Sequence, residues 1–356
     1  MKLKKANEVS DVLSGKYVTL SREICKGLTG GLLEIKNPVS RMNTVPLQAL
    51  KEIHSVLDKI ESEEKFSFVV LFGTFAKIHA GADLTLFAGE IDPERVHGYL
   101  WAGTELNLRI KKMARKVRTV SVIQGERYGG SVEWPLMAEF SVCTAEAGIQ
   151  FSEVNVGLIP GWNGILNVLL RSSKENALYM AATGNRVSAG EMLETGLVSA
   201  IAPEDSVLEK ALEIAVGPQP AAGKDIKSLA DRNEIEQIVA RRTEPERYRE
   251  LVGETSGKLA KGELSAQKGE NYIGKFIEER LKELGRPIAP LAAQAVFKLI
   301  DRFPKVSCDN FEVLKEMAYC EAELCFQLMN TLDRRVGVNS ILTSNPLERI
   351  PIFSAK

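Results

Sequence analysis

Histidine is scarce in this chain of 356 residues: there are three, His54, His79 and His97. No cluster of metal-ligating residues surrounds them, so a metal centre is not expected. His79 has no serine-aspartate partner nearby in sequence, and a packed imidazole with both nitrogens satisfied is its expected role. Cysteine is odd in number, five (Cys25, Cys143, Cys308, Cys320, Cys325), with no Cys-x-x-Cys pair. That pattern excludes a disulfide framework and a zinc knuckle, and a reducing cytoplasm is the simplest location. An excess of charge is lacking too. Lysine and arginine (46) nearly cancel aspartate and glutamate (47), so no net field favours nucleic acid or a membrane surface. No apolar run is long enough to span a bilayer, and the basic start "MKLKKANEVSDVLSGKY" is not followed by a signal-peptide core.

What is present is an ordinary globular composition, 44% hydrophobic and 26% charged. At roughly 150 residues per domain the length suggests two units, with the boundary placed near residue 205. After a polar leader, "GLLEIKNP" alternates and stops at Asn37-Pro38, as an edge or early strand does. "VPLQALKEIHSVLDKIES" repeats apolar residues at three- and four-residue steps (Leu47, Leu50, Ile53, Val56, Leu57, Ile60), which predicts an amphipathic helix. "FSFVVLFG" is a continuous apolar run of strand length, predicting a strand buried on both faces. "VRTVSVIQG" and "EFSVCTA" are further strands, and "VGLIPGWNG" breaks the chain. This alternation predicts an α/β fold with right-handed connections.

Further on, strands are no longer expected. "SAGEMLETGLV" carries a capping box, Ser188 with Glu191, before a short helix that Gly196 closes. "DRNEIEQIVARRTEPERYRE" reads as a solvated face and a loose connection. "ENYIGKFIEERLKELG" predicts a helix with Ile273, Phe276, Ile277, Leu281 and Leu284 on one side, stopped by Gly285-Arg286-Pro287. In the last long helix, "FEVLKEMAYCEAELCFQLMNTLD", the aligned face is Val313, Met317, Cys320, Leu324 and Leu328.

The chemistry concentrates in three loops that follow strands, whose ends converge in such folds. In "HAGADL" the small residues on both sides of Ala82 let a ligand approach its backbone N–H. Gly129-Gly130-Ser131 opens a helix and so offers unpaired N–H groups at the positive end of a dipole. Two such donors aimed at one oxygen make an oxyanion hole. In "ERYGGSVEWPLMAE" Glu133 stands among Val132, Trp134, Pro135 and Leu136, and a buried acid costs several kcal/mol unless something uses or pairs it. Twenty positions on, "FSEVNVGLIPG" supplies Glu153. Two facing acids cannot both ionise cheaply, so one holds a proton while the other acts as base, which suits adding or removing water. Each piece has an ordinary reading as well: a Gly-Gly turn, a glutamate complementing a helix dipole, a Gly/Pro loop as punctuation.

Taken in order, "LLEIKNPVSRMNTV", "FVVLFGTFAKIHAGADL", "VSVIQGERYGGSVE", "FSEVNVGLIPGWNG" and "TGNRVSAGEMLETGLVSAIAP" resemble the enoyl-CoA hydratase/isomerase (crotonase) superfamily. The resemblance covers residues 30–205 well and 206–290 weakly, and "DRRVGVNSILTSNPLERIPIF" is similar to the family's C-terminal end. It implies a crotonase-like spiral of repeated ββα units over residues 1–205, and a helical C-terminal region over 206–356 used for trimer contacts, giving a homotrimer or hexamer. It places Ala82 and Gly130 at the oxyanion hole, Glu133 and Glu153 at the two catalytic carboxylates, and Gly161 at the backbone group holding the reacting water. The substrate implied is an acyl-CoA in fatty-acid or aromatic-acid metabolism, with no cofactor besides the coenzyme A the substrate carries. Enoyl-CoA hydration is the first expectation, and the alternatives are an acyl-CoA hydrolase, ring-opening on alicyclic substrates, and a catalytically silent scaffold. Three departures from the family pattern stand out. Ser131 replaces a third glycine. Pro135 resists a place beyond the first helical turn, so that the helix is expected to start late or bend. Trp162 is expected to reshape the acyl pocket.

Overall fold

The computed structural model describes residues 10–63, 66–73, 76–220, 226–261, 263–264, 272–345 and 347–354. Three strands open it: β1 (Ser10–Ser14), β2 (Val18–Cys25) and β3 (Leu28–Ile35), followed by helix α1 (Leu47–Glu63). Three turns of one pattern come next, each a long strand, a short strand and a helix. They are β4 (Phe68–Gly73), β5 (Ile78–Ala80) and α2 (Pro93–Met113); β6 (Arg118–Ile123), β7 (Glu126–Tyr128) and α3 (Gly130–Leu136); and β8 (Phe140–Thr144), β9 (Gly148–Gln150) and α4 (Gly164–Arg171). This is the expected spiral of ββα units.

The long strands build a seven-stranded sheet in the order β1-β2-β3-β4-β6-β8-β11, where β11 is Ala200–Ala202. Pairing is antiparallel from β1 to β3 and parallel from β3 onward. The short strands build a second sheet, β10-β9-β7-β5, with β10 at Val187–Ser188. Successive residues of a strand face opposite sides, and β4 follows the rule: Val69 and Leu71 enter the main core, Phe68 and Val70 a second core on the other face. Helix α7 (Val207–Val216), just beyond the boundary expected near residue 205, covers that second face with Val207, Leu208, Ala211 and Ile214. The expectation that "FSFVVLFG" is buried on both faces is met, as is the apolar face of α1, whose Leu50, Ile53, Val56, Leu57 and Ile60 are all buried.

Three expectations are corrected. The polar leader contains β1 and β2, and β3 is interior, because β2 turns back onto β3 at Lys26-Gly27, both with positive φ (49° and 79°). Strands continue past residue 180, in β10 and β11, each too short for its periodicity to register. The segment read as a loose connection is two helices, α8 (Arg232–Thr243) and α9 (Pro245–Ala260). Their charged surfaces hide a few anchors: Ile235, Arg242, Tyr248 and Leu251 are buried, and an Asp231/Glu234 capping box starts α8. The remaining helices are α5 (Lys174–Thr183), α6 (Ala189–Glu194), α10 (Tyr272–Leu284), α11 (Pro290–Arg302), α12 (Phe311–Leu328) and α13 (Leu332–Leu342). The Ser188/Glu191 capping box of α6 is formed, and α10 packs Ile277 and Leu281 inward before Gly285 (φ 78°) ends it. Glu270 and Asn271, the expected start of that helix, lie outside the described residues.

Candidate active site

The register of the small parallel sheet sets up the site. Ala80 of β5 pairs with Tyr128 of β7, and Tyr128 with Gln150 of β9. The residues that follow therefore leave the sheet side by side: Gly81-Ala82, Gly129-Gly130 and the 3-10 turn Ser152–Val156. The first two loops touch, since a Cβ on Gly81 would strike the backbone of Gly130 and Ser131. Among the described residues, the N–H groups of Ala82 and Gly130 have no hydrogen-bond partner. All six residues expected at the site (Ala82, Gly130, Glu133, Glu153, Gly161, Trp162) line one cavity of about 440 Å³.

Gly129 joins the two halves of the site. Its φ of 56° is a left-handed conformation that suits glycine, and a Cβ there would lie 2.9 Å from Oε1 of Glu153. Ser131 does not replace a glycine at the cavity surface to any chemical end. Its hydroxyl donates to the His79 carbonyl (2.6 Å) and accepts from the Tyr128 N–H (2.9 Å), tying β5 to the start of α3. Nor does Pro135 delay the helix: α3 begins at Gly130. The carbonyl that proline cannot bond to, that of Ser131, accepts from Arg127 Nη1 at 3.3 Å. His79 is buried and neutral, its Nδ1 facing Asn43 Nδ2 at 3.3 Å and its Nε2 facing the Ala76 carbonyl at 3.1 Å. Burial and the Arg127 charge push it down to about 3, so it is the packed imidazole expected from sequence.

The two carboxylates occupy unlike environments. Glu133 is held by a backbone cradle: its Oε2 accepts from Trp162 N (2.7 Å) and Gly164 N (2.8 Å), its Oε1 from Gly161 N at 3.3 Å. Consecutive N–H groups aimed at one point form an anion nest. Asn163, with φ of 70°, makes the turn possible, and its side chain is fixed by Ala318 O (2.7 Å) and Asn107 Nδ2 (3.1 Å). Burial raises the Glu133 carboxyl to about 7, against three donors that favour the anion. Glu153 has no such cradle; its buried Oε2 lacks a partner among the described residues. Burial first, then the charge of Glu133, pushes its carboxyl well above the usual range. The pair thus splits into an acid readily ionised and an acid that keeps its proton. The Gly161 N–H points to Glu133 Oε1 at 3.3 Å.

Trp162 fills the space beside these groups. Its ring is buried, its Nε1 donates to the Tyr99 carbonyl at 3.2 Å, and it meets the Tyr99 ring edge-on at 4.9 Å between centroids. A Cβ on Gly130 would come within 2.7 Å of that indole.

Sequence reasoning missed Glu321. The face expected on α12 included Cys320 and Leu324, but the buried stripe is Leu314, Met317, Ala318, Glu321, Cys325 and Leu328. Its phase is broken by an acid, so the apolar pattern settled one position away. Cys325 lines the cavity, as does Arg286, by which the weakly matching segment reaches the site. Arg286 has no periodic or motif signal of its own.

Comparison with known proteins fits this geometry. The model of the family described as enoyl-CoA hydratase/isomerase matches residues 29–219, more than half of the chain. The chain belongs to the enoyl-CoA hydratase/isomerase family. Among curated relatives, a fatty acid oxidation complex subunit alpha from Idiomarina loihiensis is 27% identical over 196 residues, 54% of this chain. The matched stretch spans only 27% of that protein's length. Among solved structures, a carnitinyl-CoA dehydratase from Mycobacterium thermoresistibile (16% identity) and an enoyl-CoA hydratase from Rhodobacter sphaeroides (19% identity) share the fold. Each superposes with a TM-score of 0.61, covering 91% of this chain and 89% of the other. Among the described residues no helix is long and apolar enough to cross a membrane.

Proposed function

We propose that this family member hydrates the double bond of a 2-enoyl-CoA thioester. The observation that carries the reading is the pairing of two partnerless N–H groups on touching loops, Ala82 and Gly130, with two buried carboxyls of unlike proton affinity in the same cavity.

The thioester oxygen accepts both N–H groups. As water adds, negative charge grows on that oxygen, and each preorganised donor is worth a few kcal/mol at that moment. Glu133 supplies the base. A carboxylate oxygen has two lone-pair directions. Oε2 is filled by two short hydrogen bonds, whereas Oε1 has a single long one. Oε1 is therefore the atom that takes a proton from water as the water oxygen bonds to C3. Glu153, kept neutral by burial, delivers its proton to C2. Water has then been added across the bond, and a proton passes from Glu133 back to Glu153 to reset the pair. General acid-base help of this kind contributes about 10² to 10⁴. The same steps in reverse dehydrate a 3-hydroxyacyl-CoA. Coenzyme A enters as part of the substrate, and a homotrimer or hexamer is the assembly that goes with this reading, to be measured by light scattering.

The test is a panel of straight-chain enoyl-, cyclic enoyl- and 3-hydroxyacyl-CoA thioesters, followed by loss or gain of the conjugated-thioester absorbance and by product mass. A hydroxyacyl product that retains its CoA supports hydration. Release of free CoA thiol, or an opened ring, would replace the reading with hydrolysis, and no turnover on the panel would remove it.

A further inference from the structure

Helix α4 presents its N-terminal N–H groups to two acids at once. Gly164 N, with Gly161 N and Trp162 N before it, donates to Glu133. The next two, Ile165 N and Leu166 N, donate to Oε1 and Oε2 of Glu321 at 2.9 and 3.0 Å. Glu321 comes from α12, more than 150 residues away in sequence, and is wholly buried. One turn earlier on the same helix, the Ala318 carbonyl accepts from Asn163, the left-handed residue of the nest. Two adjacent contacts from α12 thus grip the loop that cradles Glu133.

We propose that Glu321 is a positioning residue for the reaction: it holds the N-terminal end of α4 so that the 161–164 cradle stays aimed at Glu133. A helix N-terminus acts within its first turn, and Glu321 accepts the two N–H groups next to those that serve Glu133, its carboxyl pushed well above the usual range by burial and by the Glu133 charge. This rests on the reading of Glu133 as base, and it names the residue that sets when that base is available.

The groups around Glu321 are few. Glu133 on α3 and Glu153 in the 3-10 turn push its carboxyl up, after burial, and Cys325, one turn on along α12, is itself raised in part by Glu321. From α4 it meets backbone N–H groups. On α2, the Tyr99 phenol is turned to the Val45 carbonyl at 2.6 Å and feels Glu133 and Asp83. The charged residues that α2 and α11 bring to α12 include Glu105 and Arg302, engaged at the surface by Tyr319 and by Glu316, and the exposed Lys298, which faces Glu316 and Glu323 across a surface groove. None of these groups is a cation within reach of the buried acids, so removing Glu321 leaves no unpaired positive charge behind.

The test follows protonation directly, with no need of substrate. In protein labelled with ¹³C at the glutamate carboxyl, the Glu133 resonance is assigned by its loss in Glu133→Gln and titrated in the parent and in Glu321→Gln. The expected result is a midpoint raised by about half a unit or more in Glu321→Gln, roughly a threefold or greater decrease in the acid constant, because the loosened cradle favours the Glu133 anion less. An unchanged or lowered midpoint, whatever happens to the melting temperature, would overturn the proposal. If Glu321→Gln does not fold, the unmutated protein decides. The amide resonances of Ile165 and Leu166 are then expected to shift with the Glu133 midpoint, and indifference to it would show that the two acids do not share the helix end. Because these readouts need no turnover, their failure is distinct from failure on the thioester panel, which tests the hydration reading alone.

Discussion

Replacing Glu133 with glutamine gives the sharpest test of why an acid is buried there, because stability and activity are expected to move in opposite directions at high pH. Burial lifts the carboxyl from 4.5 to about 7. At 1.36 kcal/mol per unit, that difference makes the folded state worse by about 3 kcal/mol once the group is ionised. The folded-state affinity for the proton is the higher one, so below pH 4.5 both states are protonated and there is no penalty. As pH rises the unfolded chain ionises first, and the fold loses stability until pH passes about 7, where the loss levels off. Glutamine cannot ionise and escapes this penalty. It carries a cost of its own: with its carbonyl oxygen placed to serve Trp162 N and Gly164 N, its amide NH₂ faces the Gly161 N–H, leaving a buried donor unmatched at about 1–3 kcal/mol. The variant is therefore expected to be less stable than the parent at pH 5 and as stable or more so at pH 9. Loss of the Glu133 charge also relaxes Glu153 and Glu321, which moves the comparison the same way. Urea titrations of both proteins at the two pH values measure the crossing, and parallel pH dependence in parent and variant would refute the reasoning. Turnover in the variant is expected to fall by about 10² to 10⁴ at every pH, while in the parent kcat/KM falls below a limb near pH 7 as Glu133 takes up its proton.

The other expectations follow from the same cavity. Glu153→Gln should abolish most turnover with binding retained, and should barely change stability near neutral pH, because the carboxyl it replaces is already neutral; near-normal kcat would remove Glu153 from the mechanism. Gly130→Ala places a Cβ 2.7 Å from the Trp162 ring, so about 1–3 kcal/mol of overpacking and a displaced oxyanion donor should appear together as a lowered urea midpoint and a lowered kcat; full activity in the folded variant would count against the Gly130 assignment. Trp162→Ala should cost about 3–5 kcal/mol as a buried aromatic is removed and should change the ratio of kcat/KM among short, long and cyclic thioesters, at about 1–3 kcal/mol per methylene; unchanged ratios would place the acyl chain elsewhere.

The long strands, α1, α10 and the Ser188 cap were legible because their signals are local: an apolar run, a three-four repeat, a serine three residues before a glutamate. The site was legible only as loose parts. What brings Ala82, Gly130 and Glu153 together is the register of β5, β7 and β9, three residues each, and a strand of three residues has no periodicity to read. The general convergence of strand ends in α/β folds, together with the family resemblance, supplied what local pattern does not contain. At Pro135 proline rules predicted that α3 starts late or bends, and a late start is not what the structure shows. The helix starts at Gly130, and Arg127 takes the carbonyl that Pro135 leaves open.

Glu321 marks a different kind of limit. Reading α12 by hydrophobic period treats an acid as a solvent-facing residue, which moves the inferred face from Cys325 to Cys320 and Leu324. The stripe that is buried has a glutamate in its middle, satisfied by donors contributed by a helix far away in sequence. No property of α12 taken alone distinguishes that glutamate from its exposed neighbours Glu316 and Glu323. The distinguishing feature lies in α4, whose opening turn has two more N–H groups than Glu133 can accept. A helix end buried without acceptors is as costly as an acid buried without donors, so each of these features makes the other tolerable. The opening of α4 is consequently a place where two acids and one helix terminus balance, and a change in Glu321 should be felt first in the protonation of Glu133.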